Sequence, residues 1–451
     1  MLITNGTVLT FGAEKRVIPG GAVYYEGDTI VAVGFTSELK ARYPHAETLD
    51  AGGRLIMPGN ICAHTHFYGA FARGMAIPGP PPTSFMEILE RLWWRLDRAL
   101  TLEDCKASAQ VALVDAIRHG TTTLIDHHAS PNAIDGSLDA LAEAVLESGL
   151  RVSLCYEVTD RNGPDGAAAG IAENVRWLKK VQAMRKAGDP DAERLGASFG
   201  LHASFTVSDE TIERCLTAAA GLETGFHIHL AEDKADEQNA LRLYNMRTAE
   251  RLEKRGVLGP KTLVAHGVHL DAFEMNALKT TQTRLSHQPR SNMNNAVGVA
   301  PIETMLKKGI TVGLGNDGFS NNMFTEMAVC YLFHKNHQGN PQAMGAETVM
   351  QLAFDNNARI AALFFPKAAG ALAPGAYADI ILLDYHPCTW LTDGNYPWHI
   401  IFGMDGSRVT HTICGGKMLM QDRQLLTMDE EAITARAKTL SGKVWERVAE
   451  M

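Results

Sequence analysis

The sequence has no uninterrupted apolar run near the ~20 residues that cross a bilayer, which excludes a helical membrane span. Its first residues, Met1-Leu2-Ile3-Thr4-Asn5-Gly6, supply neither the basic nor the apolar stretch of a secretory leader. Seven cysteines, at positions 62, 105, 155, 215, 330, 388 and 414, are odd in number and scattered, with no Cys-x-x-Cys spacing. That excludes a disulfide framework and is the usage expected of reduced thiols in a cytoplasmic protein. No Lys/Arg cluster is present, and 42 basic against 51 acidic residues leave a formal charge of −9, so nucleic acid is not an expected partner. There is no Gly-x-Gly-x-x-Gly turn to support an open dinucleotide-binding sheet, and no Gly-x-Ser-x-Gly elbow for a serine nucleophile.

What is present is an ordinary globular composition, 45% hydrophobic and 21% charged, in a chain of 451 residues. That length exceeds the roughly 250–300 residues a single core supports, so a large domain with a smaller one is expected. The two ends are rich in strand formers, as in Leu2-Ile3-Thr4-Asn5-Gly6-Thr7-Val8-Leu9 and Ile380-Ile381-Leu382-Leu383. They predict one small β-sandwich domain assembled from residues 1–58 and 366–451.

Residues 59–365 alternate short apolar strands with helices. Eight strands are expected, at 60–64, 122–126, 151–157, 195–201, 225–230, 262–266, 283–288 and 310–316. Helix boundaries are legible between them: Ser84 with Glu87 and Thr101 with Asp104 read as capping boxes, and Gly120, Gly149 and Gly256 as stops. Eight βα units in about 300 residues is the count of a (β/α)8 barrel, so the fold class is α/β, a TIM-like barrel carrying the small β domain.

In such a barrel reactive groups sit at the C-terminal strand ends. Here those ends carry His64-Thr65-His66, Asp126-His127-His128, His202, His229 with Glu232 beyond it, His266 and Asp317. Six strand ends bearing His or Asp on one rim are hard to obtain by chance. The period-two alternation of a strand puts His64 and His66 on one face. Neutral imidazoles are good ligands for Zn²⁺ or Fe²⁺.

Met57-Pro58-Gly59-Asn60-Ile61-Cys62-Ala63-His64-Thr65-His66 resembles the opening motif of the amidohydrolase superfamily. His227-Ile228-His229-Leu230-Ala231-Glu232, Val264-Ala265-His266-Gly267 and Leu314-Gly315-Asn316-Asp317-Gly318 resemble motifs of its triazine-hydrolase and aminohydrolase branch. Leu92-Trp93-Trp94-Arg95-Leu96-Asp97-Arg98-Ala99-Leu100, Ile125-Asp126-His127-His128-Ala129-Ser130-Pro131 and Arg290-Ser291-Asn292-Met293-Asn294-Asn295 are most similar to the SsnA-type aminohydrolases.

The resemblance implies roles. His64, His66, His229 and Asp317 match the ligands of one divalent ion per chain, Zn²⁺ or Fe²⁺. Asp317 also matches a proton acceptor, His266 the residue that orients the attacking water, and Glu232 the general acid/base serving a ring nitrogen and the departing amine. Binuclear relatives use a carboxylated Lys at the end of strand four; Gly200-Leu201-His202-Ala203-Ser204 has none, which disfavours a second ion.

The remaining residues have two readings each. His202 is a substrate ligand or a structural His, and only one of the adjacent His127 and His128 can face the pocket, with His128 taken as the contact. Trp94 stacks on a ring or packs the core beside Trp93. Arg290 and Asn292 read exocyclic groups or fix a loop. His227 supports His229 or is buried nearby, and His287 lies between packing and pocket.

The expected function is removal of an amino group from a nitrogen heterocycle, an oxidised purine or pterin-like ring, by a homo-oligomer that the resemblance suggests is a dimer. A chlorohydrolase using the same residues is the alternative among enzymes, and a metal-binding scaffold the alternative outside them.

Overall fold

The computed structural model describes all 451 residues. Both ends of the chain enter one nine-stranded sheet. Leu2–Leu9, Val17–Glu26 and Thr29–Phe35 form an antiparallel meander, its second turn made at Gly27 with φ 54°. A positive φ in a tight hairpin turn costs glycine nothing. The strand Leu55–Pro58 then pairs in parallel with Leu2–Leu9 on one side and antiparallel with Ile380–Leu383 on the other, Met57 opposite Ile381. That single strand joins the N-terminal strands to the C-terminal ones, so they run as one hydrogen-bonded path rather than as two separate sheets. Alternate residues of it, including Ile3, Val8, Val23, Ile56, Ile380 and Leu382, close over a core of their own.

Eight parallel strands form the middle of the chain. They are β1 (Asn60–Thr65), β2 (Thr121–Asp126), β3 (Arg151–Leu154), β4 (Leu195–Ala197 and Phe199–Ala203), β5 (Phe226–Leu230), β6 (Leu263–His266), β7 (Arg284–His287) and β8 (Val312–Leu314). β4 is broken at Ser198; its first part pairs with β3 and its second with β5. Closure is visible at both seams. At one, Val158 N donates to Gly200 O at 3.2 Å and His202 N to Val158 O at 3.0 Å. At the other, Asn316 N donates to His64 O at 3.0 Å and His66 N to Asp317 O at 3.1 Å. Gly315 permits that second seam, since a Cβ there would lie 2.7 Å from His64 N. The result is a (β/α)8 barrel with helices such as Leu102–Arg118 outside it. That helix starts in a full capping box between Thr101 and Asp104, as the spacing predicts.

The terminal sheet is tied to the barrel by a buried ion pair between Arg151, at the start of β3, and Asp379. Gly415 N donates to the same carboxylate at 2.8 Å, and the guanidinium lies 3.5 Å from the Tyr377 ring centroid. No helix is long and apolar enough to cross a membrane.

Candidate active site

The C-terminal ends of the barrel strands bring the expected residues together. His64 and His66 leave β1, His229 lies in β5, and Asp317 follows β8. Each imidazole is oriented by its other nitrogen. His66 Nδ1–H donates to the His127 carbonyl at 2.5 Å, His229 Nδ1–H to the His202 carbonyl at 2.8 Å, and His64 Nδ1–H to His227 Nε2 at 2.9 Å. The three Nε2 atoms are thereby turned inward, toward one another and Asp317. His66 Nε2 lies 3.1 Å from His229 Nε2 and 3.0 Å from Asp317 Oδ1; His64 Nε2 lies 3.7 Å from the same oxygen.

These separations suit a cation. Bonds of about 2.0–2.2 Å around a tetrahedral ion put neighbouring donor atoms about 3.3 Å apart. His64 Nε2 is buried with no hydrogen-bond partner, as expected of an atom reserved for an ion. Burial, the largest influence, drives the His64 imidazole down to about 3 and that of His229 well below its ordinary range, so both are neutral. Burial also opposes ionisation of Asp317, but the neighbouring His64 and His66 imidazoles hold its carboxyl well below the usual range.

Behind this group lie the candidate proton-transfer residues. Glu232 Oε2 is 3.4 Å from His266 Nε2, and Glu232 Oε1 accepts from Asn295 Nδ2 at 3.3 Å. Burial first, and then the charge of Asp317, push the Glu232 carboxyl well above the usual range, which favours its protonated form. His266 Nδ1–H donates to Asn292 Oδ1 at 2.9 Å and its backbone N–H to Gln288 Oε1 at 3.0 Å. Ser291 donates to Asp317 Oδ2. Ala231, His266 and Asp317 have φ of 48°, 74° and 57°, a left-handed conformation that costs non-glycine residues energy and collects at functional sites.

A cleft of about 660 Å³ opens onto these groups. One wall is Trp93 and Trp94, presented by a single π-helical turn at Leu89–Trp93, a device found mostly at functional sites. His202 and Phe205 also line it, the His202 ring centroid 6.4 Å from that of Trp94. Arg161 pairs with Asp97 at 2.8 Å and lies 4.7 Å from the Trp94 ring centroid, which makes that wall rigid.

Three of the expected substrate contacts lie away from the cleft wall. Arg290 does not reach the cleft: its guanidinium pairs with the fully buried carboxylate of Glu326 and donates to Ser320 O at 2.7 Å. Asn292 is absent from the cleft wall because it supports His266. His128 is fully buried beside Tyr68 and Tyr156, its Nε2 2.9 Å from Ser130 Oγ, and His127 does not line the cleft either. β2 ends at Asp126, so the alternation that was to turn one of them outward stops before either. Trp94 and His202 do line the cleft. His287 is buried, with its Nε2 3.0 Å from His334 Nε2.

Sequence reasoning passed over Ser291, Asn295 and Gln288, whose roles depend on loops that no short-range pattern aligns. It also passed over Glu157, a buried carboxylate 3.0 Å from His127 Nδ1 that lines the cleft. That omission was avoidable, since the expected third strand ended at Glu157 itself. Burial opposes its ionisation, but the His202 and His127 imidazoles hold its carboxyl well below the usual range.

A model of the amidohydrolase family matches residues 55–419, and one of the bacterial imidazolonepropionase-like composite domain matches residues 21–46. The chain is 31% identical over 452 residues to 5'-deoxyadenosine deaminase of Methanosarcina mazei, with 99% of each chain covered. It is 32% identical over 451 residues to 5-methylthioadenosine/S-adenosylhomocysteine deaminase of Syntrophobacter fumaroxidans, covering 98% of this chain and 97% of that one. Its fold is similar to the crystal structure of an adenosine deaminase from Xanthomonas campestris with bound zinc, with a TM-score of 0.85 and 23% identity over 100% of this chain and 98% of that one.

Proposed function

The chain belongs to the amidohydrolase family, and from that premise we propose that it is a metal-dependent hydrolytic deaminase. It replaces the amino group of a nitrogen heterocycle by oxygen and releases ammonia. The names of the relatives support an adenosine-type aminopurine as substrate; an amino-bearing oxidised purine or a pterin-like ring is the other candidate class. The observation that carries the reading is the position of the Glu232 carboxyl, 3.4 Å from His266 Nε2 and beside Asp317 on the wall of an aromatic cleft.

One divalent ion, Zn²⁺ or Fe²⁺, held by His64, His66, His229 and Asp317, would supply a Lewis acid that makes a water nucleophilic near neutral pH. The chain's own residues do the rest. Trp94 offers a flat face to the ring, and His202 Nε2 accepts from a ring N–H. His266 Nε2, its lone pair fixed by the bond from Nδ1–H to Asn292, accepts a hydrogen from the attacking water and orients it. Glu232 donates its proton to the ring nitrogen next to the carbon under attack, which draws electrons from that carbon. Asp317 takes a proton from the water. That proton then passes to the amine, which leaves as ammonia, and the hydroxyl proton of the tetrahedral centre returns to Glu232 as the carbonyl forms.

The test is a substrate panel: 5'-deoxyadenosine, adenosine, guanine, an oxidised aminopurine and an aminopteridine, each incubated with the metal-loaded protein. Ammonia and carbonyl product appearing in equal amounts from at least one ring is the expected result. Failure of the metal-loaded protein to release ammonia from any of them would sink the reading.

A further inference from the structure

We propose that Asp236 is a positioning residue: its single carboxyl group ties the loop that carries Glu232 to the turn that carries His202 and Phe205. The acid is thereby held in place relative to the wall of the cleft. That role rests on the deaminase reading of the cleft and adds to it. Asp236 lies in the first turn of the helix Lys234–Tyr244, is 3% exposed and lines the cleft. Its Oδ2 accepts the backbone N–H of Ala231 at 2.9 Å, and its Oδ1 accepts that of Phe205 at 3.1 Å. The two donors come from different strand ends, Ala231 from that of β5 and Phe205 from that of β4.

Ala231 is where the carboxyl acts on the acid. Its φ of 48° is a conformation that a non-glycine residue holds only when its surroundings enforce it. Asp236 holds the N–H on one side of Ala231, and the His269 N–H donates to the Ala231 carbonyl at 3.0 Å on the other. Both peptide groups of Ala231 are therefore fixed. Glu232 is the next residue, so the direction in which its side chain leaves the backbone follows from this enforced conformation. The bond to Asp236 closes residues 231–236 into a ring with Glu232 inside it.

The other end of the tie is anchored from behind. Fully buried Arg251 donates from Nη1 to the Ser204 carbonyl at 2.7 Å and from Nη2 to the Val207 carbonyl at 2.8 Å. Those bonds fix the turn at Ser204–Thr206, and His202 Nδ1 lies 2.7 Å from Thr206 Oγ1 of the same turn. Two backbone donors need two acceptor oxygens, and aspartate supplies both on one short side chain. Asparagine has one oxygen, and its amide would set a donor against the other backbone donor. Asp236→Asn is thus close to neutral in volume and disruptive in hydrogen bonding.

The experiment compares the metal-loaded native chain with Asp236→Asn, Glu232→Gln and the double variant, on the panel ring that the native protein turns over fastest. Asp236→Asn should lower kcat about 100-fold, the cost of misplacing a reacting group by about 1 Å, with metal content unchanged. Because Asp236 acts through Glu232, adding Asp236→Asn to Glu232→Gln should cost little more. A carboxyl that only stabilised the fold would not show that non-additivity. Losses that multiply in the double variant, or an unchanged kcat in Asp236→Asn, overturn the proposal. If Asp236→Asn does not fold, Asp236→Ser carries the same cycle. Hydrogen exchange read by mass spectrometry tests the tie without a substrate. In Asp236→Ser the peptides holding Ala231 and Phe205 should both exchange about 10-fold faster, the weight of one hydrogen bond each. Unchanged exchange in both overturns the proposal. A native protein that releases ammonia from no ring sinks the deaminase reading instead, and exchange then decides whether Asp236 ties the two loops.

Discussion

Asn292 Oδ1 accepts the Nδ1–H of His266 at 2.9 Å, and this one bond fixes which imidazole nitrogen faces Glu232. Without it the ring can flip or change tautomer. Asn292→Ala is expected to lower kcat about 10–100-fold, the usual weight of a residue that orients a reacting histidine, with KM and metal content little changed. Steady-state kinetics on metal-assayed protein checks this. A change confined to KM would instead make Asn292 a substrate contact.

Arg290 and Glu326 predict a stability effect without a catalytic one. Glu326 is fully buried, and Arg290 is its cation. Arg290→Ala leaves that carboxylate unpaired and should cost about 3–5 kcal/mol in urea unfolding. Arg290→Met with Glu326→Leu should recover most of the loss, because no buried charge remains. If the double variant were as unstable as the single one, the ion pair would not be the cause.

Acid should destabilise the fold through its buried neutral histidines. Burial, the largest influence, drives His334 down to about 4 and His128 down to about 3. In the unfolded chain each titrates near about 6.5, so below that pH the unfolded state binds protons that the folded state refuses. Stability should be full above pH ~6.5 and fall as the pH drops toward the folded-state values. Urea unfolding at neutral and mildly acid pH measures the loss, which His334→Gln should reduce. An unchanged pH dependence in that variant contradicts the assignment.

His64→Ala removes a proposed ligand and leaves Asp317 and His66 in place. Metal and activity should be lost together, by elemental analysis and by ammonia release. Activity retained at low metal content would place the chemistry elsewhere.

Much of this was legible in the sequence because it repeats with a short period. The eight strands, the capping box at Thr101 and the polar residues at the strand ends all follow from alternation and end signals. His64, His66, His229, His266, Glu232 and Asp317 were each placed near a strand end by that logic, and the structure gathers them. The residues placed differently from expectation share one physical feature. Arg290, Asn292 and His128 lie just beyond strands, where period-two alternation no longer says which way a side chain points. Their partners, Glu326, His266 and Ser130, are chosen by loop conformation. Glu157 is the opposite case, since it closes the expected third strand and strand logic alone places it at the rim.

The most direct measurement is ammonia release by Glu232→Gln with the metal content of the same sample determined. The amide keeps the shape and hydrogen-bonding capacity of the carboxyl but cannot carry a proton. Because Glu232 is not a proposed ligand, metal content should be unchanged while kcat falls about 10²–10⁴-fold, the range of general acid–base catalysis. A variant that binds metal normally and keeps most of the native rate of ammonia release would contradict the account.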